Sequence, residues 1–201
     1  MFDEADGCSL TAEQAEGPYY IDARLIRRHI TEGKPGVPLR LCIRVRDVAG
    51  CAPIAGAAVD VWHCDALGIY SGFEATSKTA GEPADADFPD TPTDEHRYLR
   101  GTQITNDDGV VEFQTIFPGW YRGRTVHIHA KVLLEGQAVL TTQLYFDEDF
   151  TSQLHRSEPY ASDPGRDTFN DTDSIFDDGP LLNLSRDGDG YRALINLDVQ
   201  P

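Results

Sequence analysis

The chain has 201 residues, 40% of them hydrophobic, enough apolar material for one globular domain with a real core. Its formal net charge of −17 repels phosphate, which excludes nucleic acid and anionic membrane as partners. No apolar run reaches transmembrane length. The start, Met1-Phe2-Asp3-Glu4, has neither a basic n-region nor an apolar h-region. Four cysteines, an acidic surface and that abrupt start predict a mature secreted domain trimmed of its leader; a cytoplasmic enzyme is the alternative.

In chain order, Thr11–Glu16 predicts a short helical turn. Leu39–Val48 predicts a strand, Ala49-Gly50-Cys51-Ala52-Pro53 a turn, and Ala57–Trp62 the returning strand of a hairpin. A Pro/Asp/Ala-rich loop without periodicity fills Thr76–His96. Thr102–Thr105 and Val110–Ile116 flank Asn106-Asp107-Asp108-Gly109, a strong hairpin signal. Arg124–Leu134 and Ala138–Phe146 form another pair around Glu135-Gly136-Gln137, and Phe150–His155 a further helical turn. Residues 147–190 hold twelve Asp/Glu against three Arg, an irregular acidic excursion before a last strand at Tyr191–Val199. Many short antiparallel strands predict an all-β sandwich with long irregular loops. The single domain divides into an N-terminal segment, 1–38, bordering a site, a core at 39–146, and an acidic region with the final strand at 147–201.

The cysteines, Cys8, Cys42, Cys51 and Cys64, form no C-x-x-C, so zinc ribbons and thioredoxin-type motifs are excluded. Three disulfide connectivities are open, beside four buried free thiols. A hairpin over Leu39–His63 would bring Cys42 near Cys64 and leave Cys8 with Cys51. Gly68-Ile69-Tyr70-Ser71-Gly72 places its serine one position late for a nucleophile elbow. Asp187-Gly188-Asp189-Gly190 lacks the later ligands of an EF-hand, and no phosphate-binding glycine loop is present.

Chemistry concentrates in Gly119-Trp120-Tyr121-Arg122-Gly123-Arg124-Thr125-Val126-His127-Ile128-His129. On a strand, His127 and His129 point to one face and can close on one metal ion, with Tyr121 approaching from the preceding loop. A second segment, Trp62-His63-Cys64-Asp65-Ala66-Leu67-Gly68-Ile69-Tyr70, ends a strand and passes through a glycine into a tyrosine. His29, His63, His96 and His155 read as solvated or packing residues.

With Gly17-Pro18-Tyr19-Tyr20, Pro53-Ile54-Ala55-Gly56-Ala57, Pro118-Gly119-Trp120-Tyr121 and Thr142-Gln143-Leu144-Tyr145-Phe146 in order, the chain resembles the intradiol ring-cleavage dioxygenases. That is the family of protocatechuate 3,4-dioxygenase and catechol 1,2-dioxygenase. The likeness covers most of the chain; its length and Gly-Pro-Tyr-Tyr segment are closer to the protocatechuate enzymes. The Trp-His-Cys-Asp-Ala-Leu-Gly run is similar to secreted actinobacterial members.

The resemblance implies a non-haem Fe(III) site. Tyr70 matches the tyrosinate that stays bound and Tyr121 the one the substrate displaces, with His127 and His129 as imidazole ligands. Arg124 and Gln143 match residues beside the bound ring, while Tyr19, Ala66 and Trp120 border the substrate pocket. The donor chemistry agrees: phenolate is a hard anionic donor that favours ferric over ferrous iron. The implied substrates are O₂ and a catechol-type diol, opened between its hydroxylated carbons to a cis,cis-muconate-type diacid. Two other readings stand beside it: a metal-free sandwich of the transthyretin-like or carboxypeptidase-regulatory-like kind, and a zinc hydrolase. Neither oligomeric state nor ring substituents are legible.

Overall fold

A computed structural model describes residue 2 and residues 7–77 and 91–201. The loop expected at Thr76–His96 therefore falls mostly outside the described residues. Eight strands form two four-stranded sheets. The first, in the order β4-β1-β8-β7, contains β1 (Pro38–Asp47), β4 (Val110–Ile116), β7 (Asn183–Asp187) and β8 (Gly190–Val199). The second, β3-β2-β5-β6, contains β2 (Ala58–Trp62), β3 (Arg100–Ile104), β5 (His127–Leu134) and β6 (Gln137–Tyr145).

The sandwich core follows from period-two alternation. Leu39, Leu41, Ile43 and Val45 of β1 and Val111 and Phe113 of β4 meet Val59, Val61, Ile128, Ala130 and Val132 of the other sheet, all buried. Each such side chain contributes about 1.5–3 kcal/mol on burial. The second sheet is also buried on its outer face, because the N-terminal segment lies along it. Thr142 Oγ1 donates to the Ala12 carbonyl at 2.9 Å and Gln14 N to the Thr141 carbonyl at 2.8 Å.

The β5–β6 hairpin forms as expected, whereas two other expected hairpins do not. β1 and β2 lie in opposite sheets, β1 between β4 and a parallel β8, so residues 48–57 arch over the edge of the sandwich. β3 and β4 are likewise in different sheets, and Asn106–Gly109 is a turn between layers. Thr11–Glu16 is extended rather than helical, held to the sheet by its backbone. Helix α1 (Glu74–Ser77) was not expected; α2 (Glu148–Leu154) covers most of the second expected helical turn, capped by Asp147, whose side chain accepts from Phe150 N.

The sheet assignment also corrects the cysteine pairing. Cys42 and Cys64 are buried free thiols in different layers. Cys42 faces Glu112 of the neighbouring strand, and Cys64 donates to the Gly119 carbonyl beside the second sheet. The disulfide that forms joins Cys8 to Cys51, with Cα atoms 5.5 Å apart, tying the N-terminal segment to the arch.

Candidate metal centre

Strand register builds the site. On the outer face of the second sheet, His129 lies opposite Trp62 of β2 and Gln143 of β6, while His127 lies opposite Tyr145. The Trp62 and His129 rings stack at 4.8 Å with 5° between their planes. The strand begins at His127 rather than Arg124, which sits in a tight turn bridged to Tyr121. The two histidines still share a face: their Nε2 atoms converge to 3.1 Å.

The tautomer of His127 is dictated by its partner. Its Nδ1 lies 2.7 Å from the Thr125 carbonyl, which only accepts, so Nδ1 carries the hydrogen and Nε2 presents a lone pair. Tyr121 Oη reaches that nitrogen at 3.2 Å. Burial drives His127 down to about 3, with the Arg124 cation adding to the effect. Burial also drives His129 well below the usual range, with His127 next. Both rings are therefore neutral at pH 7, the form that binds a metal.

Tyr70 arrives from a loop that its own backbone closes. Asp65 Oδ1 accepts from Leu67 N at 2.9 Å and Ile69 N at 3.1 Å, and Asp65 N donates to the Ile69 carbonyl at 2.8 Å. Gly68 adopts φ +77°, and a Cβ there would collide with the Trp120 carbonyl, so glycine alone lets this loop press on the loop bearing Tyr121. Tyr19 stacks on Tyr70 at 4.5 Å, and the Tyr70 and Tyr121 rings meet edge to face at 5.7 Å. Burial raises the Tyr70 phenol far above its ordinary value, with Tyr121 adding to it. Burial raises Tyr121 too, opposed by the Arg124 cation.

These donors fit a trivalent ion. Tyr70 Oη is buried with no hydrogen-bond partner among the described residues, and two imidazoles supply lone pairs beside two phenols. Among the described residues no three His, Cys, Asp or Glu side chains form a metal set, so a metal on this face would need the phenols as donors. A cation among the phenols offsets the penalty that burial places on their ionisation.

The family model described as a dioxygenase matches residues 15–157. A solved intradiol ring-cleavage dioxygenase from Tetranychus urticae is 35% identical, superposes with a TM-score of 0.88, and aligns over 96% of both chains. The chain belongs to the intradiol ring-cleavage dioxygenases. The dioxygenase domain of a dioxygenase–carbohydrate-binding fusion from Streptomyces sp. SirexAA-E is 32% identical, with a TM-score of 0.69 over 96% of this chain and 99% of that one. A chlorocatechol 1,2-dioxygenase from Rhodococcus opacus is 33% identical over 135 residues, 58% of this chain and 46% of the relative. The chain spans about half the length of the curated relatives it matches.

The remaining expected residues of this intradiol dioxygenase fall around the same face. Arg124 Nε donates to Asp173 at 2.9 Å, and its Nη2 donates to Gln143 Oε1. Gln143 Nε2 in turn donates to the Ala15 carbonyl at 2.8 Å. Trp120 and Tyr121 line a cleft of about 650 Å³ with Leu67, Gly68 and Ile69; Ala66 is buried just behind that wall, against Gly119. His96 is exposed beside Glu74 and Asp94, and His155 packs on Tyr160 at 5.0 Å.

Sequence reasoning missed three supports. Asp173 anchors Arg124 and also accepts from Thr125 N at 2.8 Å, although it lies in the aperiodic acidic stretch. Arg100, buried in β3, clasps the Tyr19 carbonyl at 2.6 Å and the Ser71 carbonyl at 2.7 Å, joining the N-terminal segment to the residue after Tyr70. His63, read as a packing residue, uses both ring nitrogens: Nδ1 to the Cys64 carbonyl at 2.8 Å and Nε2 to Thr115 Oγ1 at 2.7 Å.

Proposed function

We propose that this protein is a non-haem Fe(III) dioxygenase that cleaves catechol-type diols with O₂ to cis,cis-muconate-type diacids, incorporating both oxygen atoms. The observation that carries the reading is the convergence of two neutral imidazole Nε2 atoms, 3.1 Å apart, with two phenols on one buried sheet face. Tyr70, Tyr121, His127 and His129 would hold the ion. Bound there, ferric iron supplies a Lewis acid that draws the catechol hydroxyls toward ionisation and readies the ring for O₂.

The protein's own groups do the rest. Tyr121, which lines the open cleft, would hold the ion as a phenolate, and that oxygen would take the proton of an entering catechol hydroxyl and become a phenol. Arg124, fixed by Asp173 and Gln143, holds a permanent positive charge against negative charge developing on the ring. Gln143 is oriented by Ala15, so the N-terminal segment both roofs the site against water and sets a polar group within it. The Cys8–Cys51 disulfide supports an extracellular setting, where such bonds persist.

Elemental analysis, visible absorption and O₂ uptake with catechol test the reading together. The expected result is about one iron per chain, a red-brown phenolate-to-iron band, and O₂ consumed one for one with diacid formed. Stoichiometric zinc without a visible band, or an iron protein that leaves catechol intact, overturns it.

A further inference from the structure

The cleft that opens on Tyr121 carries a charge pattern of its own. One wall is apolar, with Leu67 left 45% exposed beside Ile69 and the Trp120 ring. The segment Ser162–Gly165 also lines the cleft, tied to that wall because Trp120 Nε1 donates to the Asp163 carbonyl at 2.9 Å. That contact occupies the Asp163 carbonyl, and the half-buried Asp163 side chain belongs to the cleft lining. Among the described residues the Asp163 carboxylate makes no ion pair and no side-chain hydrogen bond. Partial burial raises its pKa.

The described cations around the cleft are committed elsewhere. Arg122 faces Asp167 at 3.4 Å, Arg124 is bound to Asp173 and Gln143, and Arg166 grips Glu148 at 2.7 Å. Among the described residues that line the cleft, Arg122 is paired with Asp167 and Asp163 is the one carboxylate, on a chain whose net charge is already −17. Tyr121 and Asp163 line the same cleft, so a substituent directed into it from a diol held beside Tyr121 would pass near this carboxylate.

We propose that Asp163 sets the charge selectivity of the cleft, favouring catechols with a cationic substituent and rejecting those with an anionic one. The proposal rests on the catechol reading above and adds a specificity-determining residue to it. A half-buried charge in an open cleft acts mainly through encounter and weak Coulomb energy, so the effect is a few-fold and depends on salt.

The test uses three catechols that differ at one ring position: dopamine, 4-methylcatechol and protocatechuate. In the wild type, kcat/KM should fall in that order. Asp163→Asn keeps the side-chain shape and the backbone acceptor. It should lower the dopamine-to-protocatechuate ratio about fivefold, and high salt should shrink the wild-type ratio in the same direction. Iron content and melting temperature of the variant control for folding. A second readout needs no turnover: quenching of tryptophan fluorescence by tyramine and by 4-hydroxybenzoate should show the same change in relative affinity. An unchanged ratio in both assays, or a wild type that prefers protocatechuate, overturns the role of Asp163. Failure to turn over 4-methylcatechol instead overturns the dioxygenase reading, and analogue binding still decides the charge selectivity.

Discussion

His63→Gln isolates one buried proton site and predicts a crossing of two stability curves. His63 joins the end of β2 to β4 through the Cys64 carbonyl and Thr115 Oγ1. Because the carbonyl only accepts, Nδ1 carries the hydrogen and the Thr115 hydroxyl donates to Nε2. Burial lowers its pKa from 6.5 to about 4, against the opposing pull of the Cys64 hydrogen bond and Asp65. The unfolded chain therefore binds more protons between those two values, and stability rises with pH across that window. The contribution is whole above about pH 6.5 and is lost as pH falls toward 4. A shift of that size corresponds to roughly 3 kcal/mol. Glutamine donates and accepts in similar positions without titrating, so at pH 7.5 the variant should be less stable by about 1 kcal/mol. Urea unfolding of metal-free wild type and variant, followed by tryptophan fluorescence from pH 7.5 to 4.5, should show the order reversing between about pH 5 and 6. Parallel curves through that range would refute the burial argument, since other acid-sensitive groups are common to both proteins.

Other perturbations separate the roles of the site residues. Tyr70→Phe, His127→Ala and His129→Ala should each lose most bound iron, read by elemental analysis. Tyr121→Phe should retain part of its iron and turn over at least about tenfold more slowly; full activity there removes the base assigned to its hydroxyl. Arg124→Lys keeps the charge but cannot bond Asp173 and Gln143 together, so kcat should fall about tenfold or more with iron content held. Loss of iron in that variant makes Arg124 structural. Thiol titration of the denatured, unreduced protein should find two groups, Cys42 and Cys64, and four would disprove the Cys8–Cys51 bond. Removing that bond with Cys8→Ser should cost about 4 kcal/mol for a loop of 43 residues.

Much of this was legible locally. The alternation around His127 and His129 gave their common face, and the turn glycines marked where strands stop. What the sequence could not distinguish was a hairpin from an arch. Residues 48–57, with two glycines and a proline, and 106–109, polar and ending in glycine, can each turn the chain either way, and only the distant partners decide: β1 pairs with β4 and β8, far along the chain. The same limit explains the cysteines, since pairing Cys42 with Cys64 required the hairpin. Strand β7 escaped notice because Asn183–Asp187 is mostly polar and half exposed, with little apolar alternation to read. Asp173 and Arg100 carried no local signal. Their roles come from where tertiary contacts aim a carboxylate and a guanidinium, one in an irregular stretch and the other in a short strand.

The parallel pairing of β1 with β8 gives the candidate metal centre a timetable. All four proposed donors lie between Tyr70 and His129, and β6 closes the second sheet by Tyr145. Yet β1 lacks its long partner until Gly190–Val199 arrives, and Asp198 then holds both Arg46, through two contacts at 2.7 and 2.9 Å, and Ser9 and Thr11 of the segment that roofs the site. During synthesis the donors emerge well before the residues that clamp their roof. A chain that lacked β8 would leave the segment over the two histidines and two tyrosines without its clamp, so β8 acts as a latch on a site to which it contributes no side chain.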